Sequence, residues 1–208
     1  MDKTIDPAIL YFGTPVVLIS TLNPDGTPNL APMSSAWWLG HRAMLGLAGS
    51  SRTTQNIRRT RECVLNLPDA GMVHCVDQLA KTTGSDPVPE GKRARGYRHV
   101  ADKFACAGLT AIPSDVVAAP RAAECPLQLE ATLVDAHTFN KSSFALEVAI
   151  TRIHAIEEIL AEDESDRIDP DAWRPLIMSF QRFYGLSDDQ VGPSRLAEIP
   201  ESMYRPSR

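Results

Sequence analysis

Leu127-Gln128-Leu129-Glu130-Ala131-Thr132-Leu133 alternates apolar with polar residues, and Phe144-Ala145-Leu146-Glu147-Val148-Ala149-Ile150 does so again a short distance on. Successive side chains of a strand point to opposite faces, so a period of two marks a half-buried strand. The segment between the two runs, around Asn140-Lys141-Ser142, suits an antiparallel hairpin. Upstream, Val16-Val17-Leu18-Ile19-Ser20-Thr21-Leu22 is a β-branched run that reads as a mostly buried strand. Asn23-Pro24-Asp25-Gly26 is a turn signal, after which a second strand runs from about Pro28 to Trp38. Pro28 and Pro32 make that strand irregular or an edge for part of its length. Ala43–Leu47 reads as a third strand, and Cys63–Leu67, closed by Pro68, as a fourth. The sum is an all-β or α+β fold, a barrel of six or more mainly antiparallel strands with short helices on its rim.

Besides a short helix after the third strand, three stretches read as helical. Asp6-Pro7 offers an N-cap with proline at the first helical position. From Met72 to about Thr82, Val73, Val76, Leu79 and Ala80 fall at helical spacing. A further helix is expected over Asp171–Tyr184 in a tail that turns acidic beyond Asp163. Gly84–Gly96, with two prolines and several charges, reads as an exposed, mobile loop.

At 208 residues the chain can bury one substantial core. A hydrophobic fraction of 43% with 23% charged residues is that of a globular protein. A net charge of −5 argues against nucleic acid as the main partner. No apolar run is long enough for a membrane helix and no leader peptide is visible, which points to the cytoplasm. The cysteines (Cys63, Cys75, Cys106 and Cys125) form no Cys-x-x-Cys pair and read as reduced thiols. No His or Cys spacing suggests a dedicated metal site.

The stretch with the most chemistry is Ser50-Ser51-Arg52-Thr53-Thr54-Gln55-Asn56-Ile57, placed where a strand gives way to a helix. Hydroxyls, an arginine and free helical N–H groups there suit an anion such as a phosphate. The same residues also suit plain capping, with Ser51 or Thr53 satisfying the orphan donors and Arg52 solvated. Of the tandem Trp37 and Trp38, one should face the core or an interface and the other could flank a pocket. His41 reads as a loop histidine or a pocket residue, and His154 as structural.

Five segments, in order, resemble the flavin reductase-like family of FMN-binding split barrels. They are Val16–Leu30 with its Asp25-Gly26 turn; Ala31-Pro32-Met33-Ser34-Ser35-Ala36; Ser50–Ile57 followed by Glu62–Pro68; Lys103-Phe104 with Gly108-Leu109-Thr110; and Pro126-Leu127-Gln128-Leu129-Glu130. The resemblance covers roughly residues 10 to 155 and implies an FMN-binding split-barrel domain over 1–160. Residues 161–208 are then a C-terminal tail packing on the body or on a partner subunit. It further implies that Met33, Ser34, Ser35 and Ala36 run along the flavin ring and that Ser50, Ser51, Arg52, Thr53 and Thr54 hold its phosphate. Asn56 would order that loop, and Lys103 would reach the ring or the phosphate, unless it is a surface lysine.

The activity so implied is oxidoreduction of flavin reductase type in a homodimer, with FMN or FAD as cofactor and NAD(P)H as transient co-substrate. No Gly-x-Gly-x-x-Gly fingerprint is present, so a nicotinamide would bind in the flavin cleft itself. No Ser-His-Asp set or carboxylate pair stands out, and hydride transfer needs none. The other reading is a non-catalytic protein that stores flavin, haem or deazaflavin, or carries electrons.

Overall fold

The computed structural model describes residues 2–162, 164–187, 191–192 and 194–204. Met1 and parts of the tail (Asp163, Asp188, Asp189, Gln190, Pro193 and Arg205 onward) lie outside the described residues. In chain order come β1 (Phe12–Pro15), β2 (Val17–Leu22), β3 (Pro28–Met33), β4 (Ala36–Leu39), β5 (Arg42–Ala48), α1 (Arg52–Thr60) and β6 (Glu62–Leu67). Next are α2 (Val73–Gln78), β7 (Thr82–Thr83), α3 (Glu90–Arg93), β8 (Arg98–His99), α4 (Lys103–Ala107), β9 (Ala111–Ile112) and β10 (Arg121–Ala122). The long hairpin β11 (Leu127–Asn140) and β12 (Ser143–Ala155) follows, and then β13 (Leu160–Ala161), β14 (Glu164–Ile168), β15 (Ile177–Ser179) and β16 (Arg182–Tyr184).

Seven strands form one antiparallel sheet in the order β3-β2-β6-β11-β12-β5-β4. Its two edge strands, β3 and β4, are consecutive in the chain and separated by Ser34 and Ser35 alone. Three residue steps reach about 10 Å at most, so the two edges must come together. The sheet therefore curls into a barrel split at Ser34–Ser35. This is the expected architecture, with one correction to detail. The strand read over Pro28–Trp38 is two strands, and the break between them is what closes the barrel.

Inside the barrel, Val17, Ile19, Leu45, Leu47, Leu65, Leu129, Leu146 and Val148 form the main core. The alternation that marked β11 and β12 is thus the inward face of both. A second cluster lies outside β2 and β3, where Val16, Leu18 and Leu30 meet Val76 and Leu79 of the α2 region, Phe104 of α4 and Leu176. That is why Val16–Leu22 carries almost no alternation: the strand is covered on both faces. Burial pushes the thiol of Cys63, in the main core, up to about 12, and all four cysteines are free.

Two helix expectations fail. The Asp6-Pro7 segment is exposed and non-helical, because a turn or two with nothing to pack on cannot offset the cost of helix nucleation. Asp171–Tyr184 forms a hairpin instead, β15 pairing with β16 through Phe180 and Gln181, both at positive φ. Pro175 interrupts any helix there, and the free edge of β1 accepts β15 as a partner. The segment read as a mobile loop over Gly84–Gly96 contains the short α3 and is closed by parallel pairing of β7 with β8.

β11 is also covered on its outer face, by the loop before β10. The Glu130 carboxylate, with no exposure, accepts from the backbone N–H groups of Asp115 (2.8 Å), Val116 (2.7 Å) and Val117 (3.2 Å). His154 Nε2 lies 2.6 Å from it. Burial raises the Glu130 pKa, but these hydrogen bonds outweigh it and leave the group below its ordinary value. Its contribution is therefore complete above the ordinary carboxylate pKa and is lost as pH falls through the lowered value. Glu130→Gln should cost about 2 kcal/mol or more at neutral pH. Denaturant melts of the two proteins should converge as the pH drops below about 4.

Candidate functional site

Beside the split lies an open groove of about 550 Å³. Along β5 the alternation buries Ala43, Leu45 and Leu47 in the barrel and turns Met44, Gly46 and Ala48 outward into the groove. Ser143 and Ala145 of β12 continue the same surface. A floor of Gly, Ala and Ser is nearly flat, which suits a planar ring. Trp37, Phe139, Phe144, Leu10 and Tyr11 supply larger apolar surfaces around it. Ser34, Ser35 and Ala36, expected to run along a flavin ring, line the groove, whereas Met33 packs against the main core. Thr14 also lines it, and its Oγ1 is buried without a partner among the described residues.

Gly46 sets how closely the link can lie. Its N–H donates to Ser35 O at 2.7 Å, and a Cβ there would come within 3.0 Å of Ser35 Cβ. Gly49 plays the same part at the end of β5, where a Cβ would meet the Phe144 ring at 2.9 Å. Of the two tryptophans, Trp37 faces outward and Trp38 packs on the core, with its Nε1 buried and without a partner among the described residues. His41 is an exposed residue of the β4–β5 turn and stays outside the groove lining.

Ala48, at the end of the groove floor, leads directly to the start of α1. Ser51 is the N-cap, its Oγ accepting from Thr54 N at 3.1 Å, and Thr54 Oγ1 donates to Ala48 O at 2.8 Å. Thr53 and Asn56 turn inward: Asn29 Nδ2 donates to Thr53 Oγ1, and Asn56 Nδ2 donates to Thr21 Oγ1 and Asn23 Oδ1. This corrects the expectation that the whole Ser/Thr cluster faces a ligand. Ser51 and Thr54 cap the helix, while Thr53 and Asn56 tie it to the β2–β3 hairpin. What remains for an anion is the N–H of Arg52 and of Thr53, unpaired among the described residues, the exposed Ser50 hydroxyl and the Arg52 guanidinium. Arg52 Nε already donates to Gly84 O at 3.2 Å, which points that side chain towards the β7–α3 loop.

Lys103 is no surface lysine. Only 3% of it is exposed, on α4. Ser85 and Lys92, which no sequence signal singled out, belong to the same neighbourhood. Both Ser85 N and Lys92 Nζ donate to Thr83 Oγ1 at 3.3 Å. Their only trace in the sequence is position within a basic, glycine-containing loop. Asn29 was missed as well; it sits so close to Gly84 that a Cβ there would lie 2.5 Å from its Oδ1.

The flavin reductase like domain family matches residues 9–187, which extends the likeness past residue 155 into the β15–β16 hairpin. An uncharacterized protein of Bacillus subtilis (strain 168), YdfE, is 38% identical over 186 residues, covering 88% of this chain and 89% of its own. Among solved structures, the flavoredoxin of Desulfovibrio vulgaris (Miyazaki F) superposes with a TM-score of 0.77 at 22% identity, over 96% of this chain and all of that one. The 2-nitrobenzoate 2-nitroreductase NbaA of Pseudomonas fluorescens gives 0.71 at 20% identity, over 91% of this chain and 88% of that one. With the barrel, the split and the match along most of its length in agreement, the chain belongs to the flavin reductase-like domain family.

Proposed function

We propose that the groove and the start of α1 together hold FMN and that the protein is an oxidoreductase of flavin reductase type, with a reduced nicotinamide as hydride donor. The observation that carries this reading is the continuity of a flat floor of small residues, Gly46, Ala48, Ser143 and Ala145, with a helix N-terminus whose Arg52 and Thr53 N–H groups are unpaired among the described residues. Family membership implies flavin binding. The residues present fit the group: backbone near Ser34–Ala36 for the polar edge of a ring, the orphaned Thr14 hydroxyl, and Arg52 with the α1 N–H groups for one phosphate. A bound flavin supplies two-electron redox chemistry in such a site.

The chain's own residues then bind, orient and exclude water. Gly46 lets the Ser34–Ser35 link lie flat on β5, which fixes the backbone polar groups that would orient a ring. The groove is open on one side, and Leu10, Trp37 and Phe139 of its lining are exposed apolar residues. A second copy of the chain covering them would enclose the site and keep water out, so the working form is a homodimer. No general acid or base is needed in the groove, because the hydride carries both electrons.

Two measurements test the reading. The purified protein, given FMN, should show flavin absorbance that bleaches anaerobically on addition of NADH or NADPH. Bands that persist with both donors would assign a carrier or storage role instead, and failure to bind either FMN or FAD would sink the flavin reading altogether. Ala145→Trp places a large ring on the groove floor. It should weaken FMN binding about tenfold or more while the flavin-free protein keeps its melting temperature.

A further inference from the structure

Away from the groove, the outer face of the β11–β12 hairpin carries side chains that the flavin reading leaves unused. Glu130 stands opposite Arg152 across the hairpin and His154 opposite Gln128, so all four share one face. His154 Nε2 meets Glu130 Oε1 at 2.6 Å, and Asp115 approaches from the loop before β10, its Oδ2 4.0 Å from the same nitrogen. One ligating atom from each of Asp115, Glu130 and His154 lies within 4.8 Å of the other two. Glu130 is fully buried, whereas the Asp115 side chain is about half exposed and leaves the group open to solvent on one side. Gln128 is not available to this group, because its side chain bonds Arg121 and the Cys125 carbonyl.

Two carboxylates this close repel one another, the more so where one of them is buried. Arg152 answers that only in part: its Nε is 3.8 Å from Asp115 Oδ2, and both side chains are about half exposed to screening water. A divalent cation between the carboxylates offsets the repulsion directly, with the imidazole as a third ligand. The frame for one is already rigid. Glu130 accepts from the Asp115, Val116 and Val117 N–H groups, and Glu62 Oε2 accepts from Ala118 N at 2.8 Å, so the loop that carries Asp115 is fixed at both ends. Those bonds also give Glu130 the hydrogen-bonded outer shell that a ligating carboxylate needs. One imidazole nitrogen with two carboxylate oxygens is a donor set for Zn²⁺. Ligand atoms around tetrahedral zinc stand about 3.3 Å apart, between the 2.6 and 4.0 Å separations found here. Zinc would therefore take the place of the proton between His154 and Glu130, while the exposed Asp115 side chain closes by less than about 1 Å.

We propose that Asp115, Glu130 and His154 form a structural zinc site, with water as fourth ligand, that pins the loop before β10 to the β11–β12 hairpin. The three ligands come from a loop and two strands, which is why no spacing in the sequence records them. Phe139 of the groove lies nine residues farther along β11, about 25–30 Å away, so the site stands independently of the flavin reading.

The test titrates Zn²⁺, and Co²⁺ as a coloured substitute, into the full-length protein after chelator treatment. Wild type should bind one ion per chain, and Co²⁺ should show the intense visible absorption of a tetrahedral site. Zinc at about a hundredfold above its Kd should raise the melting temperature by about 5 °C or more. Asp115→Asn and His154→Gln should each weaken binding about tenfold or more. His137→Gln, which removes a histidine beside Asp135 and Glu147 on the same hairpin, should leave binding unchanged. Should His154→Gln fold poorly, Asp115→Asn still carries the test, because it alters only an exposed side chain. Wild type that binds neither ion, or zinc affinity unchanged in either ligand variant, would overturn the site and leave a hydrogen bond between His154 and Glu130 as the whole of the contact.

Discussion

Ser34 and Ser35 join strands at opposite edges of a seven-stranded sheet, and two residues cannot bridge a flat sheet of that width. The geometry of the rest follows from that short link. The sheet must curl until its edges meet, which places Val17, Leu45, Leu65, Leu129 and Leu146 in one enclosed interior. The same curl leaves a seam, and along a seam the backbone has no ladder partner on one side. Gly46 is the residue that lets the link press against β5, since any side chain there would crowd Ser35. The groove is therefore a consequence of how the barrel closes.

Rigidity around that seam comes from strands covered on both faces. β2 is held between the barrel core and the α2/α4 cluster, and β11 between the core and the loop gathered by Glu130. A carboxylate that accepts three backbone N–H groups and a histidine makes a loop of irregular backbone behave like a packed layer. Thr21, Asn29, Thr53 and Asn56 do similar work on the other side, tying α1 to the β2–β3 hairpin through buried side-chain bonds. Helix α1 thus cannot drift relative to the floor that ends at Ala48. A site that must accept a planar ring and a charged tail benefits from that fixed spacing.

The polar groups near α1 divide into those with partners and those without. Ser51, Thr53, Thr54 and the amide nitrogen of Asn56 have partners and stabilise the scaffold. Among the described residues, Thr14 Oγ1, Asn56 Oδ1, Ser85 Oγ and the Lys103 ammonium are buried without them, and the cost of that arrangement is what makes them informative. Thr14 lines the groove, and Ser85 follows Gly84, whose carbonyl accepts from Arg52 Nε.

Alternation in Leu127–Leu133 and Phe144–Ile150 was enough to locate the central hairpin, because period-two patterning reports directly on which face is buried. The continuous run Val16–Leu22, the Asn23–Gly26 turn and the Ser51 cap were equally local, and each is where the sequence puts it. The helix read over Asp171–Tyr184 was misjudged because β15 takes its place beside β1, about 165 residues away, and no local pattern records a distant edge. Burial of Lys103 and the inward turn of Thr53 and Asn56 were likewise invisible, since a lysine or threonine reads the same whether solvated or enclosed. By itself, then, the sequence determined the strands of the seven-stranded sheet apart from the break between β3 and β4, the main turn, the capped helix and the family. Only the tertiary structure decided where the barrel splits, which polar groups are consumed by the scaffold and which buried charges lack a partner. Those properties depend on which residues meet across long stretches of chain, and burial with its missing partners arises only once they have met.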